Sequence, residues 1–141
     1  MHLFKMQVAA KAGVRVVLDA GGQEGPLGKD LLRNVAILSP NETELARMTG
    51  LPTDTEEQIV EAARALQALG VSTVLVKLGA DGALLVDESV MRVPAFKVDN
   101  VVDTTGAGDC FTASFCVGLL EGRSYGDAMR FAGALAGCAC P

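Results

Sequence analysis

The sequence predicts an α/β fold, a mostly parallel sheet flanked by helices, and two observations carry that expectation. Three short runs, Val14–Asp19, Val35–Leu38 and Val74–Leu78, are almost continuously apolar rather than alternating. That is the pattern of strands covered by helices on both faces. Between them lie segments with a helical period and helix stop signals, so strands alternate with helices as parallel crossovers require. The chain of 141 residues, half of them hydrophobic, is long enough for one domain of ordinary size.

The elements follow in order. Met1 to Ala12 reads as the tail of an amphipathic helix with Leu3, Met6 and Ala10 on one side, ended by Gly13. Val14–Asp19 is the first strand, 20–28 a glycine-rich loop, Lys29 to Arg33 a short helical turn, and Val35–Leu38 the second strand. Asn41 to Thr49 is a helix stopped by Gly50, with Pro52 just beyond. Thr55 opens a longer helix, with Gln58 placed for a capping box and Ile59, Ala62, Ala63, Leu66 and Leu69 in the 3.6 period. Gly70 ends it, and Val74–Leu78 is the third strand. Gly79 to Gly82 turns the chain into the hairpin partner Ala83–Val86, and Val90 to Val98 supplies one or two further short strands. Helical spacing returns after Gly106 with Phe111, Phe115 and Leu119. Ser124 and Asp127 open a last helix through Met129, Phe131 and Leu135.

Several function classes are disfavoured at this level. The net charge is −5 and no basic run occurs, so a nucleic-acid partner is not expected. No stretch approaches the roughly 20 apolar residues of a membrane span, and the N-terminus has no signal-peptide pattern. Cytoplasm is the default compartment, with an organellar one left open because the true N-terminus is open to question. Cys110, Cys116, Cys138 and Cys140 fit no zinc spacing, and the single histidine is His2, so reduced cysteines packed as small hydrophobes are expected.

The segment Asp103-Thr104-Thr105-Gly106-Ala107-Gly108-Asp109 carries the chemistry. A Gly-Ala-Gly turn entering a helix offers backbone N–H groups without intrahelical partners. Small side chains let an anion reach them, and the helix dipole favours negative charge there. Asp109 stands in the first helical turn, where a carboxylate can take the proton of an attacking hydroxyl. The plain alternative is an acidic residue that suits a helix N-terminus beside a tight turn. Asn41 with Glu44 is likewise a helix capping box by sequence, and Gly79 to Gly82 a hairpin turn. Asp19, at the carboxyl end of a strand, is a weaker candidate for the ligand crevice.

The string 102–109 resembles the C-terminal signature of the PfkB carbohydrate kinase family. Leu38-Ser39-Pro40-Asn41-Glu42-Thr43-Glu44-Leu45, followed by Met48-Thr49-Gly50, is similar to the Asn-x-x-Glu segment of its ribokinase branch. Val76-Lys77-Leu78-Gly79-Ala80-Asp81-Gly82 resembles its nucleotide-binding strand and turn. The three matches stand in the family's order. The resemblance implies a three-layer ribokinase-like fold, here partial and without the lid domain. The whole of 1–141 is then a shortened kinase domain, the C-terminal portion with the ATP and phosphoryl-transfer half.

It further implies transfer of the γ-phosphate of ATP to a sugar hydroxyl, D-ribose first. A fructokinase or nucleoside kinase, or a non-catalytic nucleotide-binding fragment, are the alternatives. Asp109 would be the base and touch the substrate, and Gly106, Ala107 and Gly108 the anion hole. Lys77, Leu78, Gly79, Ala80, Asp81 and Gly82 would contact ATP, although Lys77 replaces a neutral hydroxyl residue common there. Asn41 and Glu44 would organise Mg2+ and the phosphates, largely through water. Asp103 and Thr105 would hold part of a site for K+. A homodimer is a possible assembly.

Overall fold

The computed structural model describes residues 2–96 and 105–138. The elements are α1 His2–Lys11, β1 Val17–Asp19, α2 Lys29–Leu32, β2 Ile37–Ser39, α3 Glu42–Thr49 and α4 Glu56–Ala68, then β3 Thr73–Lys77, a 3-10 turn at Gly79–Asp81, β4 Ala83–Val86, β5 Val90–Val93, α5 Ala107–Leu120 and α6 Tyr125–Cys138. Five strands form one sheet in the order β1-β2-β3-β4-β5. β1 pairs in parallel with β2, Val17 opposite Ile37, and β2 in parallel with β3, Ile37 opposite Thr73. The link from β3 to β4 is too short for a parallel crossover, so that pair forms a hairpin and the sheet is mostly parallel.

Each expected helix, and a strand in each expected strand run, is present among the described residues, with shifts at the ends of the strands; Lys97 and Val98, the end of the last expected run, lie outside those residues. The first strand is shorter than the run Val14–Asp19 suggests. Val14 is 59% exposed, and Val17–Asp19 are only half-buried. Among the described residues β1 is the end strand of the sheet on its side, so a continuous apolar run there does not mean full burial. The second strand begins at Ile37 rather than Val35, because the Val35 N–H closes the turn after α2 on the Leu32 carbonyl at 3.0 Å. β2 and β3 meet the expectation fully, with Leu38, Val74, Leu75 and Val76 all 0% exposed.

The chain falls into two compact units, one of residues 1–76 and 85–90, the other of 77–84 and 91–141. In the first, α3 and α4 pack together. Leu45 and Met48 of α3 and Ile59, Ala62, Ala63 and Leu66 of α4 are buried, the helical stripe that the periodicity gives. Leu69, expected on that stripe, caps the helix and is only half-buried. The end of α4 is tied down by Gln67, whose Nε2 donates to the carbonyls of Ser72 at 2.9 Å and Val86 at 3.2 Å.

In the second unit α5 and α6 form an antiparallel-type helical hairpin of close contact. Gly118 lets the helices approach: a Cβ there would stand 3.0 Å from the Ala128 Cβ. Phe115, fully buried, stacks on Tyr125 with centroids 6.1 Å apart, and Phe111 and Met129 complete the apolar layer. The guanidinium of Arg123 lies 4.4 Å from the centre of the Phe131 ring, a cation–π contact that covers the hairpin bend. This packing fixes the axis of α5, and so the place of its N-terminus.

Candidate functional site

The N-terminus of α5 is built by Gly106. Its φ of 79° and ψ of −2° lie in the left-handed region, which a side chain would make costly, and it serves as N-cap without any side-chain hydrogen bond. The first intrahelical bond runs from the Cys110 N–H to the Gly106 carbonyl at 2.9 Å. The helix itself therefore has no acceptor for the N–H groups of Ala107, Gly108 and Asp109. The first turn is braced from within by the Thr112 hydroxyl, which donates to the Gly108 carbonyl at 3.1 Å. Asp109 is exposed at the third helical position and is the acidic residue of the first turn, where the dipole favours it. Thr105 lies exposed in the turn just before the helix. Asp103 falls outside the described residues.

The turn after β3 stands in the same unit. Lys77 ends the strand, half-buried. The Leu78 N–H donates to the Gly82 carbonyl at 2.8 Å, closing a loop around the 3-10 turn of Gly79, Ala80 and Asp81. Ala80 and Asp81 are exposed on it, and the Arg92 guanidinium donates to the Asp81 carbonyl at 3.4 Å. Gly82 has φ 97° and ψ −130°, a conformation open to glycine. A Cβ on it would meet the Val93 carbonyl oxygen at 2.1 Å and the Pro94 and Ala95 backbone at 2.7 Å. The turn is thus pressed against the chain that leaves β5, and only glycine allows it.

Lys77 reaches the N-terminus of α5. A Cβ built on Gly108 would lie 3.6 Å from the Lys77 Nζ, 3.7 Å from Cδ and 3.9 Å from Cε. Cα–Cβ bonds in a helix tilt toward its N-terminus, so a group in that direction flanks the free amide end. Composition and periodicity offer no sign of this juxtaposition, because Lys77 and Gly108 belong to elements far apart along the chain; only the family resemblance puts both at the ATP site. The one local trace is that Lys77 is charged where a buried strand is about to end.

Asn41 and Glu44 belong to the other unit. The Asn41 Oδ1 accepts from the Glu44 N–H and the Glu44 Oε2 accepts from the Asn41 N–H, each at 2.8 Å. Glu44 is 8% exposed, unusual for a glutamate unless it is paired in this way. The capping box is therefore formed, and one carboxylate oxygen is committed to it. Among the described residues no group of three or more His, Cys, Asp or Glu comes together to hold a metal ion. Mg2+ does not need such a cage, since it usually keeps several waters and binds through one or two carboxylates and substrate phosphates. Glu44 offers one carboxylate of that kind, so the described residues form no direct cage for Mg2+. Asp19, the weaker candidate, accepts the Gly21 N–H at 2.9 Å and shapes the loop after β1.

Cys110 and Cys116 are half-buried and Cys138 is exposed, so they are less packed than small core hydrophobes would be; no disulfide joins them among the described residues, and Cys140 lies outside those residues. Among the described residues no helix is long and apolar enough to cross a membrane.

Comparison with known proteins places this geometry. The family model described as pfkB family carbohydrate kinase matches residues 2–141. A ribokinase of Arabidopsis thaliana is 51% identical over 128 residues, which are 89% of this chain and 34% of that protein. A 1-phosphofructokinase of Haloferax volcanii is 42% identical over 132 residues, 92% of this chain and 42% of that protein. The solved structure of Arabidopsis thaliana ribokinase complexed with ribose and ATP superposes with a TM-score of 0.96 at 45% identity, covering 99% of this chain and 45% of that one. The chain spans less than half the length of each of these three relatives.

Proposed function

This chain belongs to the pfkB family of carbohydrate kinases, and from that premise we propose that it carries the phosphoryl-transfer machinery of a kinase that moves the γ-phosphate of ATP to a sugar hydroxyl, D-ribose first. The observation that carries the proposal is the N-terminus of α5. There a left-handed Gly106 opens a helix whose first three N–H groups have no intrahelical acceptor, with Asp109 as the third. In this reading the amides of Ala107 and Gly108 receive the charge that builds on the transferred phosphoryl oxygens. Asp109 accepts the proton of the sugar hydroxyl as its oxygen attacks the γ-phosphorus. The bond from that phosphorus to the β,γ-bridging oxygen breaks, and ADP leaves with the electron pair. The turn 77–82 supports the nucleotide side of the site.

D-Ribose is favoured by the ribokinase likenesses, and a solved relative is complexed with ribose and ATP. The 1-phosphofructokinase likeness keeps a second sugar class in view. Mg2+ and K+ are proposed only as ions that accompany the phosphates, Mg2+ near Asn41 and Glu44 through water and K+ near Asp103 and Thr105. No step is assigned to either. The second reading is nucleotide binding without turnover.

A coupled ATP/ADP assay with D-ribose, D-fructose and a nucleoside, with and without K+, tests the proposal. Turnover with one sugar, reduced about 10²- to 10⁴-fold in Asp109→Ala, is the expected result. ATP binding by calorimetry with no turnover on any acceptor gives the second reading. Turnover that survives Asp109→Ala overturns the assignment of the base.

A further inference from the structure

We propose that the outer face of α1, with the turn that follows it, is a docking surface for an anionic lipid bilayer. The helix has 10 residues, too few to cross a membrane, so it lies in the plane of the headgroups. The inference is independent of the kinase reading above. It comes from the apolar side chains and the charges at this end of the chain.

The helix carries two apolar faces. Leu3, Met6 and Ala9, spaced by three, are half-buried and turn toward the body of the first unit. Phe4 and Val8, one turn apart, point the other way and are 69% and 51% exposed. The following turn extends this surface. Gly13 has φ 70°, its N–H bonds to the Ala10 carbonyl at 3.1 Å, and the Val14 N–H bonds to the Ala9 carbonyl at 2.9 Å. That Schellman arrangement lays Val14 by the last helical turn, and Val14 too is exposed. One apolar face suffices to pack a helix in water, so the second is surface that an interface would dry.

Charge decides which interface. Residues 1–18 hold Lys5, Lys11 and Arg15 and none of the 17 Asp and Glu of a chain whose net charge is −5. On the helical wheel Lys5 and Lys11 fall on either side of Phe4 and Val8, and both are exposed. Arg15 is exposed just past Val14. The neighbouring α2 adds exposed Lys29 and Arg33 against one acid, Asp30, which lies 3.9 Å from Arg33. Apolar side chains between long cations suit an anionic interface. The apolar groups enter the acyl boundary while the ammonium groups reach back to the phosphates. A second copy docked on the same patch by a twofold axis would set these cations against one another. Phe4 and Val8 also protrude from a convex helix, which a deformable bilayer accepts without a matching groove.

Phe4→Trp gives the chain, which contains no tryptophan, a single fluorescent reporter at the centre of this face. With vesicles of mixed phosphatidylcholine and phosphatidylserine, a blue shift and co-sedimentation are expected, both weakened by high salt. Phosphatidylcholine vesicles alone should give little of either. Replacing Lys5, Lys11 and Arg15 by Gln should weaken partitioning about fivefold per cation, on the order of 10²-fold in all. Val8→Ser should weaken it about fivefold to tenfold, with an unchanged circular dichroism spectrum. Equal binding to both kinds of vesicle, or indifference to the triple Gln substitution, overturns the inference. A blue shift that grows with protein concentration in the absence of lipid assigns the face to a second copy. One produced by poly-L-glutamate but not by vesicles assigns it to an acidic polypeptide. Either result overturns the inference. Should Phe4→Trp fail to fold, co-sedimentation of the unsubstituted chain decides, and no difference between the two kinds of vesicle overturns it equally.

Discussion

Asn41 and Glu44 hold each other in a closed exchange, each side chain accepting the other's backbone N–H at 2.8 Å. The pair fixes the start of α3 at the end of β2, and it leaves Glu44 nearly buried. Because one pair of side chains carries the helix start and is also a candidate for organising phosphates, the two roles need separate readouts. Asn41→Ala should cost about 1 kcal/mol in urea unfolding, and Asn41→Ser should regain most of it, since serine caps as well as asparagine. If the serine variant regains stability but not turnover at limiting Mg2+, the side-chain amide has a role beyond the cap. Unchanged stability in Asn41→Ala would show that the exchange does not hold the helix.

Gly82 should tolerate no side chain. Its φ of 97° is strained for an L-residue, and the added Cβ would strike main-chain atoms of Val93, Pro94 and Ala95, which cannot swing aside as a flexible side chain could. Gly82→Ala is expected to destabilise by about 3 kcal/mol or more, from backbone strain and overpacking together. Urea unfolding followed by circular dichroism checks this, and a loss under about 1 kcal/mol would count against it.

Gly106 needs its positive φ. No atom of the described residues lies within 4 Å of a Cβ there, so against them Gly106→Ala should cost only the left-handed penalty, about 1–2 kcal/mol. Gly106→Asn should cost less, because asparagine visits that region more readily. Thermal unfolding of the two variants should rank them in that order. A reversed order would mean that the turn before α5 is not held as described.

Ser124 and Asp127 give a pH signature. The Ser124 hydroxyl donates to the Asp127 carboxylate at 2.7 Å, and Arg130 stands 3.0 Å from its other oxygen. The serine bond first, and then the Arg130 charge, hold the Asp127 carboxyl below its ordinary value of 3.8. A folded value below the unfolded one means that the contribution is present above the unfolded value. It fades as the pH falls through the folded one. Ser124→Ala should move the carboxyl-carbon titration of Asp127 upward and flatten the acid limb of stability below about pH 4. An unmoved titration would remove the serine bond from the account.

The helix boundaries were legible because their signals are local. Thr55 with Gln58, Asn41 with Glu44 and Gly50 at a left-handed C-cap act within one turn of chain, and the structure forms each of them. Strand boundaries were less so. The apolar run Val14–Asp19 looks like the core run Val74–Leu78, yet among the described residues β1 has a neighbour on one side only and is half-buried. Position in the sheet is not written in the run itself.

The sequence by itself determined the fold class, the helix caps and the glycine string that opens α5, because each depends on residues within a few positions of one another. Only the tertiary structure decided that the Lys77 ammonium stands beside Gly108, and that Gly82 is pressed on the backbone after β5. Both depend on how separate elements pack. A contact of that kind is set by the whole burial pattern, in which each side chain's place follows from every neighbour it excludes from water.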